Sequence, residues 1–177
     1  MKKHLLVLIF LSIALFQNKA YSQESKQIQI SSPAFENNKL IPKQYTCNGI
    51  NISPPLSWNK IPPTTKSLAL ISDDPDAPMG TWVHWIIYNM PPISKGLQEG
   101  VLPLQNFSHD TKQGINDFKK IGYGGPCPPS GTHRYFFKLY ALDTKLNLEA
   151  GATKKQLENA MKGHILAQAE LTGKYKK

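Results

Sequence analysis

Gly122-Tyr-Gly-Gly-Pro-Cys-Pro-Pro-Ser-Gly-Thr-His-Arg-Tyr135 runs directly into Tyr135–Leu142, and this junction decides the fold. Its first ten residues hold four glycines and three prolines, so it opens as an irregular loop. Tyr135-Phe-Phe-Lys-Leu-Tyr-Ala-Leu142 is aromatic-rich and reads as a buried strand. The loop thus sets bare backbone N–H groups, Cys127 and His133 at the mouth of a rigid strand. Glycine-rich backbone beside a cation is one way to hold an anion.

Outward from this junction the chain reads as further short strands joined by non-helical connectors. Ser67–Ser72 is a clean apolar strand that ends in Asp73-Asp-Pro-Asp-Ala-Pro78, where two Xaa-Pro pairs stop the sheet. Thr81–Met90 is a second strand, stopped by Pro91-Pro92. Gln27–Ile30 alternates and predicts a short first strand. Leu40–Tyr45 is demoted by Pro42 to an edge or irregular segment. Thr46–Ser57 reads as loop, and Ser94–Asp117 as a long excursion with one short strand around Gly100–Leu104. One helix is predicted near the C-terminus. Thr153-Lys-Lys-Gln156 fits a capping box. Leu157, Met161 and Ile165 follow at i, i+4, i+8 beside Ala160 and Ala167, with His164 at the edge of the stripe and Gly173 as the stop. The fold class expected is mainly β, an antiparallel sandwich with a C-terminal helix.

The chain has 177 residues, enough for one domain with a core. Met1-Lys-Lys3, the apolar run Leu5–Phe16 and Ala20-Tyr-Ser22 have the layout of a secretory signal peptide. The reading is a leader over 1–22, a mature domain over 23–177, and a periplasmic or secreted product. The apolar run is shorter than the roughly 20 residues a membrane span needs, so no stable membrane insertion is expected. Without the leader the formal charge falls from +9 to +6, 18 basic against 12 acidic residues. No basic stripe is interleaved with stacking aromatics, which argues against nucleic acid. Cys47 and Cys127 are the two cysteines. In an exported chain they form either a disulfide or two free thiols.

Side chains alternate along a strand. Trp82, His84, Ile86 and Tyr88 therefore fall on one side of the second strand, and His133, Tyr135, Phe137 and Leu139 on one side of the third. Each strand starts a face with an imidazole next to an aromatic, and Asp74 leaves its own strand nearby. If these groups converge, Asp74 orients one imidazole. The other histidine, the Tyr135 hydroxyl and the amides of Gly124 and Gly125 become donors to an anion. Trp82 supplies an apolar wall.

Asp73–Pro78, Gly80–Pro91 and Gly122–Tyr140 resemble the signature blocks of the phosphatidylethanolamine-binding protein (PEBP) family, in its bacterial Raf-kinase-inhibitor-like branch. Tyr45-Thr-Cys-Asn-Gly, Ser53-Pro-Pro-Leu-Ser-Trp58 and Ala160-Met-Lys-Gly-His-Ile-Leu166 are similar to that branch too, so the resemblance runs from about Ile28 to Lys174. It implies a sandwich of one larger and one smaller sheet with an anion pocket at one end. By motif that pocket uses Asp74, Trp82, His84, His133 and Tyr135, with Gly125 and Pro126 around it. The loop before His133 departs from the eukaryotic pattern, being Cys-Pro-Pro-Ser-Gly-Thr here. The resemblance further implies phospholipid head-group binding and regulation of a kinase.

The function expected is a non-enzymatic binding module for phosphate or a phosphorylated head group. It needs no cofactor and no metal, and acts on a protein partner, with a homodimer left open. Two histidines and an aspartate are also the ligand set of a metal enzyme. Ser130 or Cys127 beside a histidine is the raw material of a hydrolase. Protease inhibition is a further family-level alternative.

Overall fold

A computed structural model describes residues 27–106 and 110–177; the leader predicted over 1–22 lies outside them. The strands are β1 (Gln29–Ser31), β2 (Leu56–Asn59), β3 (Ser67–Asp74), β4 (Trp82–Met90), β5 (Gly96–Leu97), β6 (Lys112–Gln113) and β7 (Thr132–Leu142). The helix α1 (Lys154–Met161) and strand β8 (Ile165–Lys176) complete the chain. They form a small sheet in the order β1-β2-β5 and a large one in the order β6-β4-β3-β7-β8. Neighbouring strands pair antiparallel throughout.

Strand β3 sits at the centre, and all eight of its residues are buried. Leu68 and Leu70 face the small sheet with Trp58, Trp85, Phe137 and Leu139. Ala69 and Ile71 face the other way, against Ile86, Tyr88, Leu157 and Met161. A strand covered on both faces has no polar side to show. This is why Ser67–Ser72 reads as an unbroken apolar run rather than an alternation. Helix α1 closes the second face. Its capping box forms, with Thr153 Oγ1 accepting from the Gln156 amide at 3.3 Å and the Thr153 amide donating to Gln156 Oε1 at 2.8 Å. Full burial of Leu157 contributes about 2 kcal/mol to holding it there.

The helix is shorter than its apolar stripe predicts. It stops at Met161, Gly163 turns the chain at φ +80°, and Ile165–Lys176 is strand β8. A positive φ is natural to glycine after a helix end. Eleven residue pairs between β7 and β8 then outweigh any local helix preference. Ala167, Ala169, Leu171 and Tyr175 pack on the inter-sheet core with a period of two, and that alternation was visible in the sequence. Gly173 is therefore not a helix stop. A Cβ there would sit 2.4 Å from Ile41 and 2.9 Å from Phe35, so glycine lets the 35–41 segment lie against β8. His164 lies in the turn, not on a helical stripe, with Nδ1 2.8 Å from Asp143 Oδ1.

Three smaller expectations also change. Leu56–Asn59 is a strand rather than the end of a loop, and it brings Leu56 and Trp58 into the core. The long excursion carries two short strands, Gly96–Leu97 and Lys112–Gln113, rather than one around Gly100–Leu104. Leu40–Tyr45 is irregular, with a 3-10 turn at Lys43–Tyr45 and a parallel bridge from Leu40 to Lys174.

Candidate functional site

The ends of β3, β4 and β7 meet where the sequence places its histidines. Position 84 owes its orientation to a break in the ladder. Ser72 pairs with Trp85 but Asp73 pairs with Val83, so β4 carries one extra residue at His84. Such a bulge re-aims the strand. Simple alternation puts Trp82, His84, Ile86 and Tyr88 on one side, and this is corrected. Ile86 and Tyr88 stay under α1 with Val83, while the His84 ring turns to Tyr135, centroids 5.2 Å apart and edge-on. Strand β7 is regular. His133, Tyr135, Phe137 and Leu139 are buried in alternation, as expected.

A cavity of about 190 Å³ opens here, lined by Asp74, Trp82, His84, Phe118, Cys127 and His133, with Ala77, Pro78 and Pro129. Depressions of about 390 Å³ lie elsewhere on the molecule, but neither is lined by a histidine. His84 is 3% exposed and its Nδ1 lies 2.6 Å from the Gly124 carbonyl. Burial holds its pKa below the ordinary histidine value, against the opposing pull of that carbonyl and of Asp74. His133 Nδ1 lies 2.7 Å from Asp74 Oδ2. The other Asp74 oxygen accepts the Asp76 amide at 2.8 Å, so both oxygens are engaged inside the protein. Asp76 in turn grips Arg134 through a two-pronged contact, Nε to Oδ2 at 2.9 Å and a terminal nitrogen to Oδ1 at 2.6 Å. These bonds from Arg134 lower the Asp76 pKa to about 2.

Two donors are left over. Trp82 Nε1 is enclosed without a partner. The Tyr135 hydroxyl, beside Asp74, is enclosed and makes no hydrogen bond of normal geometry. Burial first, and then the Asp74 charge, push the Tyr135 pKa up, so the hydroxyl keeps its proton. An orphaned buried donor costs roughly 1–3 kcal/mol, which an acceptor from outside would recover.

Gly125 and Pro126 stand in a different role from the one expected. The Gly125 amide donates to Asn51 Oδ1 at 2.7 Å, and the Gly124 amide to the His84 carbonyl at 2.9 Å. Neither is free for a ligand. The Pro126 carbonyl accepts the Cys47 amide at 3.1 Å. Cys47 and Cys127 form a disulfide, with Cα atoms 5.4 Å apart. A Cβ on Gly125 would sit 2.4 Å from the Tyr45 carbonyl, so glycine is what lets the two loops close on each other. This loop is a brace: it fixes the carbonyl that orients His84. With Cys127 bridged, no thiol nucleophile faces the cavity. Among the described residues no three His, Cys, Asp or Glu side chains are grouped to hold a metal.

Phe118 escaped the sequence reading. It sits edge-on to both Trp82 and His84, at 5.5 and 5.3 Å between centroids, and it is partly exposed at the cavity mouth. The available signal was a lone aromatic between Asp117 and Lys119-Lys120. Asp73 escaped as well. It is fully buried on the opposite face, held by Lys138 Nζ at 2.8 Å and Lys154 Nζ at 2.6 Å.

Comparison with known proteins agrees with the architecture. A UPF0098 protein of Methanothermobacter thermautotrophicus is 53% identical over 150 residues, spanning 85% of this chain and 99% of that protein. A UPF0098 protein of Chlamydia muridarum is 52% identical over 153 residues, spanning 84% and 98%. A crystal structure described as that of a PEBP homolog from Chlamydia trachomatis superposes with a TM-score of 0.80 at 47% identity, covering 86% of this chain and 99% of that one. Escherichia coli YbcL, described as a member of the mammalian PEBP family, superposes with a TM-score of 0.78 at 31% identity, covering 85% and 99%. The profile of the phosphatidylethanolamine-binding protein family matches residues 31–176, and with it the two-sheet architecture and these relatives place the chain in that family.

Proposed function

We propose that this chain is a non-enzymatic, exported binding protein that takes a small anion, phosphate or a phosphorylated head group, between His84 and His133. The observation that carries the reading is Trp82 Nε1, enclosed without a partner beside the two imidazoles, with the Tyr135 hydroxyl held protonated next to Asp74 behind them. A largely apolar cavity with a few convergent polar groups, one of them a donor without an acceptor, is matched by a ligand that brings the acceptor. The aromatic edges of Trp82 and Phe118 would exclude water from one side of the ligand, strengthening each hydrogen bond. The leader-like N-terminus and the disulfide support an oxidising compartment. A regulatory effect on a protein partner would follow from ligand-dependent ordering of the loops around the mouth.

The test is a titration with phosphate, phosphoethanolamine and acetate, following the His84 and His133 ring signals by NMR. The expected result is a saturable shift of both imidazoles. Absence of any shift in both would sink the anion pocket.

A further inference from the structure

Both imidazoles spend the same nitrogen on the protein. His84 Nδ1 faces the Gly124 carbonyl at 2.6 Å. A carbonyl can only accept, so Nδ1 carries the hydrogen and the neutral ring presents a bare Nε2. Nδ1 is the ring nitrogen that the protein engages, which leaves Nε2 for a ligand. The charged and titratable groups around the ring are Asp73 and Asp74 from β3, Asp117 from the loop before Phe118, and His133 and Tyr135 from β7. Burial is the largest influence on the ring and keeps it neutral. Trp82 Nε1, by contrast, can only donate to an anion.

Resting on the anion-pocket reading above, we infer that the cavity selects an oxyanion that brings its own proton, a hydrogen phosphate or a phosphomonoester monoanion, over one that is fully deprotonated or fully esterified. The ligand's P–O–H donates to His84 Nε2, and its bare oxygens accept from Trp82. A sulfate, or a phosphodiester, meets the His84 lone pair with an oxygen lone pair. It binds only after His84 takes a proton from solvent. The preference deepens the proposed function, because a phospholipid phosphodiester belongs to the disfavoured class and a phosphomonoester to the favoured one.

Phosphate and sulfate separate the two cases cleanly. At pH about 7.5 both are predominantly dianions, since the second phosphate pKa is near 6–7, but only phosphate retains a proton. Isothermal titration calorimetry in two buffers of different ionisation enthalpy reads affinity and proton uptake together. The expected outcome is phosphate binding at least tenfold tighter than sulfate, with sulfate taking up close to one proton and phosphate far less. Methyl phosphate against dimethyl phosphate, compared at the lowest pH at which the His84 ring signal still reports the neutral form, is expected to show the same order and separates a monoester from a diester source. His84→Gln, which offers an amide donor, is expected to bring sulfate level with phosphate. Equal affinities in the unmodified protein without proton uptake would overturn the inference, whether or not the variant folds. Failure of phosphate itself to bind would overturn both this inference and the anion pocket, and is told apart from the first failure because sulfate is then no reference.

Discussion

Asp73 and Asp74 are neighbours on β3, and the sheet separates them completely. Asp73 points toward α1, where Lys138 and Lys154 close on it with side chains 26% and 22% exposed. Asp74 points toward the cavity, where it meets His133 and the Asp76 amide. One carboxylate is held by two ammonium groups and braces the strand against the helix. The other is held by one imidazole and one amide, at the edge of a space a ligand can enter. The same residue type in consecutive positions thus serves structure on one face and chemistry on the other. What separates them is the pleat of the strand, which turns successive side chains to opposite faces.

That contrast makes quantitative demands. Asp73→Ala leaves the Lys138 ammonium without a counter-charge and Lys154 with Glu158 alone, at 3.7 Å. It is expected to cost about 3–5 kcal/mol in urea unfolding, while a folded fraction still binds phosphate. A loss below about 1 kcal/mol would show that Asp73 is not the brace. Breaking the disulfide with Cys47→Ser and Cys127→Ser is expected to cost about 2–4 kcal/mol, because the bridge spans 80 residues. It is also expected to weaken anion binding, because the Gly124 carbonyl then loses its fixed position. Asp74→Asn keeps the shape and is expected to cost only about 1–2 kcal/mol, yet to disturb the His133 ring signal and ligand affinity. If Asp73→Ala and Asp74→Asn affect binding equally, the separation of the two faces fails.

Acid titration gives the weakest effects and distinguishes groups on the cavity side. The folded-state pKa of His84 lies below its ordinary value of 6.5. The unfolded chain therefore binds more protons as pH falls through that value. His84 favours folding above about pH 6.5 and opposes it progressively below. Asp76 follows at lower pH. Its folded value of about 2 lies beneath the ordinary 3.8, so its contribution is present above about 4 and is lost as pH falls toward 2. Because the Arg134 partner is exposed, the Asp76 contribution is small, under about 1 kcal/mol, and Arg134→Ala is expected to flatten that second step. Urea midpoints measured across pH 2–8 would show both steps; an unchanged second step in the variant would count against the pairing.

The residues that the sequence groups as a candidate site are neighbours in space. Asp74, Trp82, His84 and His133 do line one cavity, and Tyr135 stands directly behind it. Alternation placed His133 and Tyr135 correctly because β7 is regular, but it put His84 on the face of Ile86 because a one-residue bulge leaves no mark in an apolar stretch. The partners of the glycine amides are remote in sequence: the Gly125 amide is taken by Asn51, 74 residues away, and the Gly124 amide by the His84 carbonyl. The helix was extended through Ile165 because a spacing of four fits both a helical stripe and a strand alternation.

What the amino-acid order determined by itself was local: the capping box of α1, the apolar core strand Ser67–Ser72, the loop chemistry of Gly122–Gly131 and the family signature blocks. Each depends on residues a few positions apart, which propensity and side-chain geometry relate directly. What the tertiary structure decided was which polar atoms are already satisfied. The Gly124 carbonyl orients His84, Asn51 consumes the Gly125 amide, and the disulfide consumes Cys127, while Trp82 Nε1 is left without a partner. A hydrogen bond depends on distance and direction between groups far apart in the chain, and those are defined only after the sheets have packed.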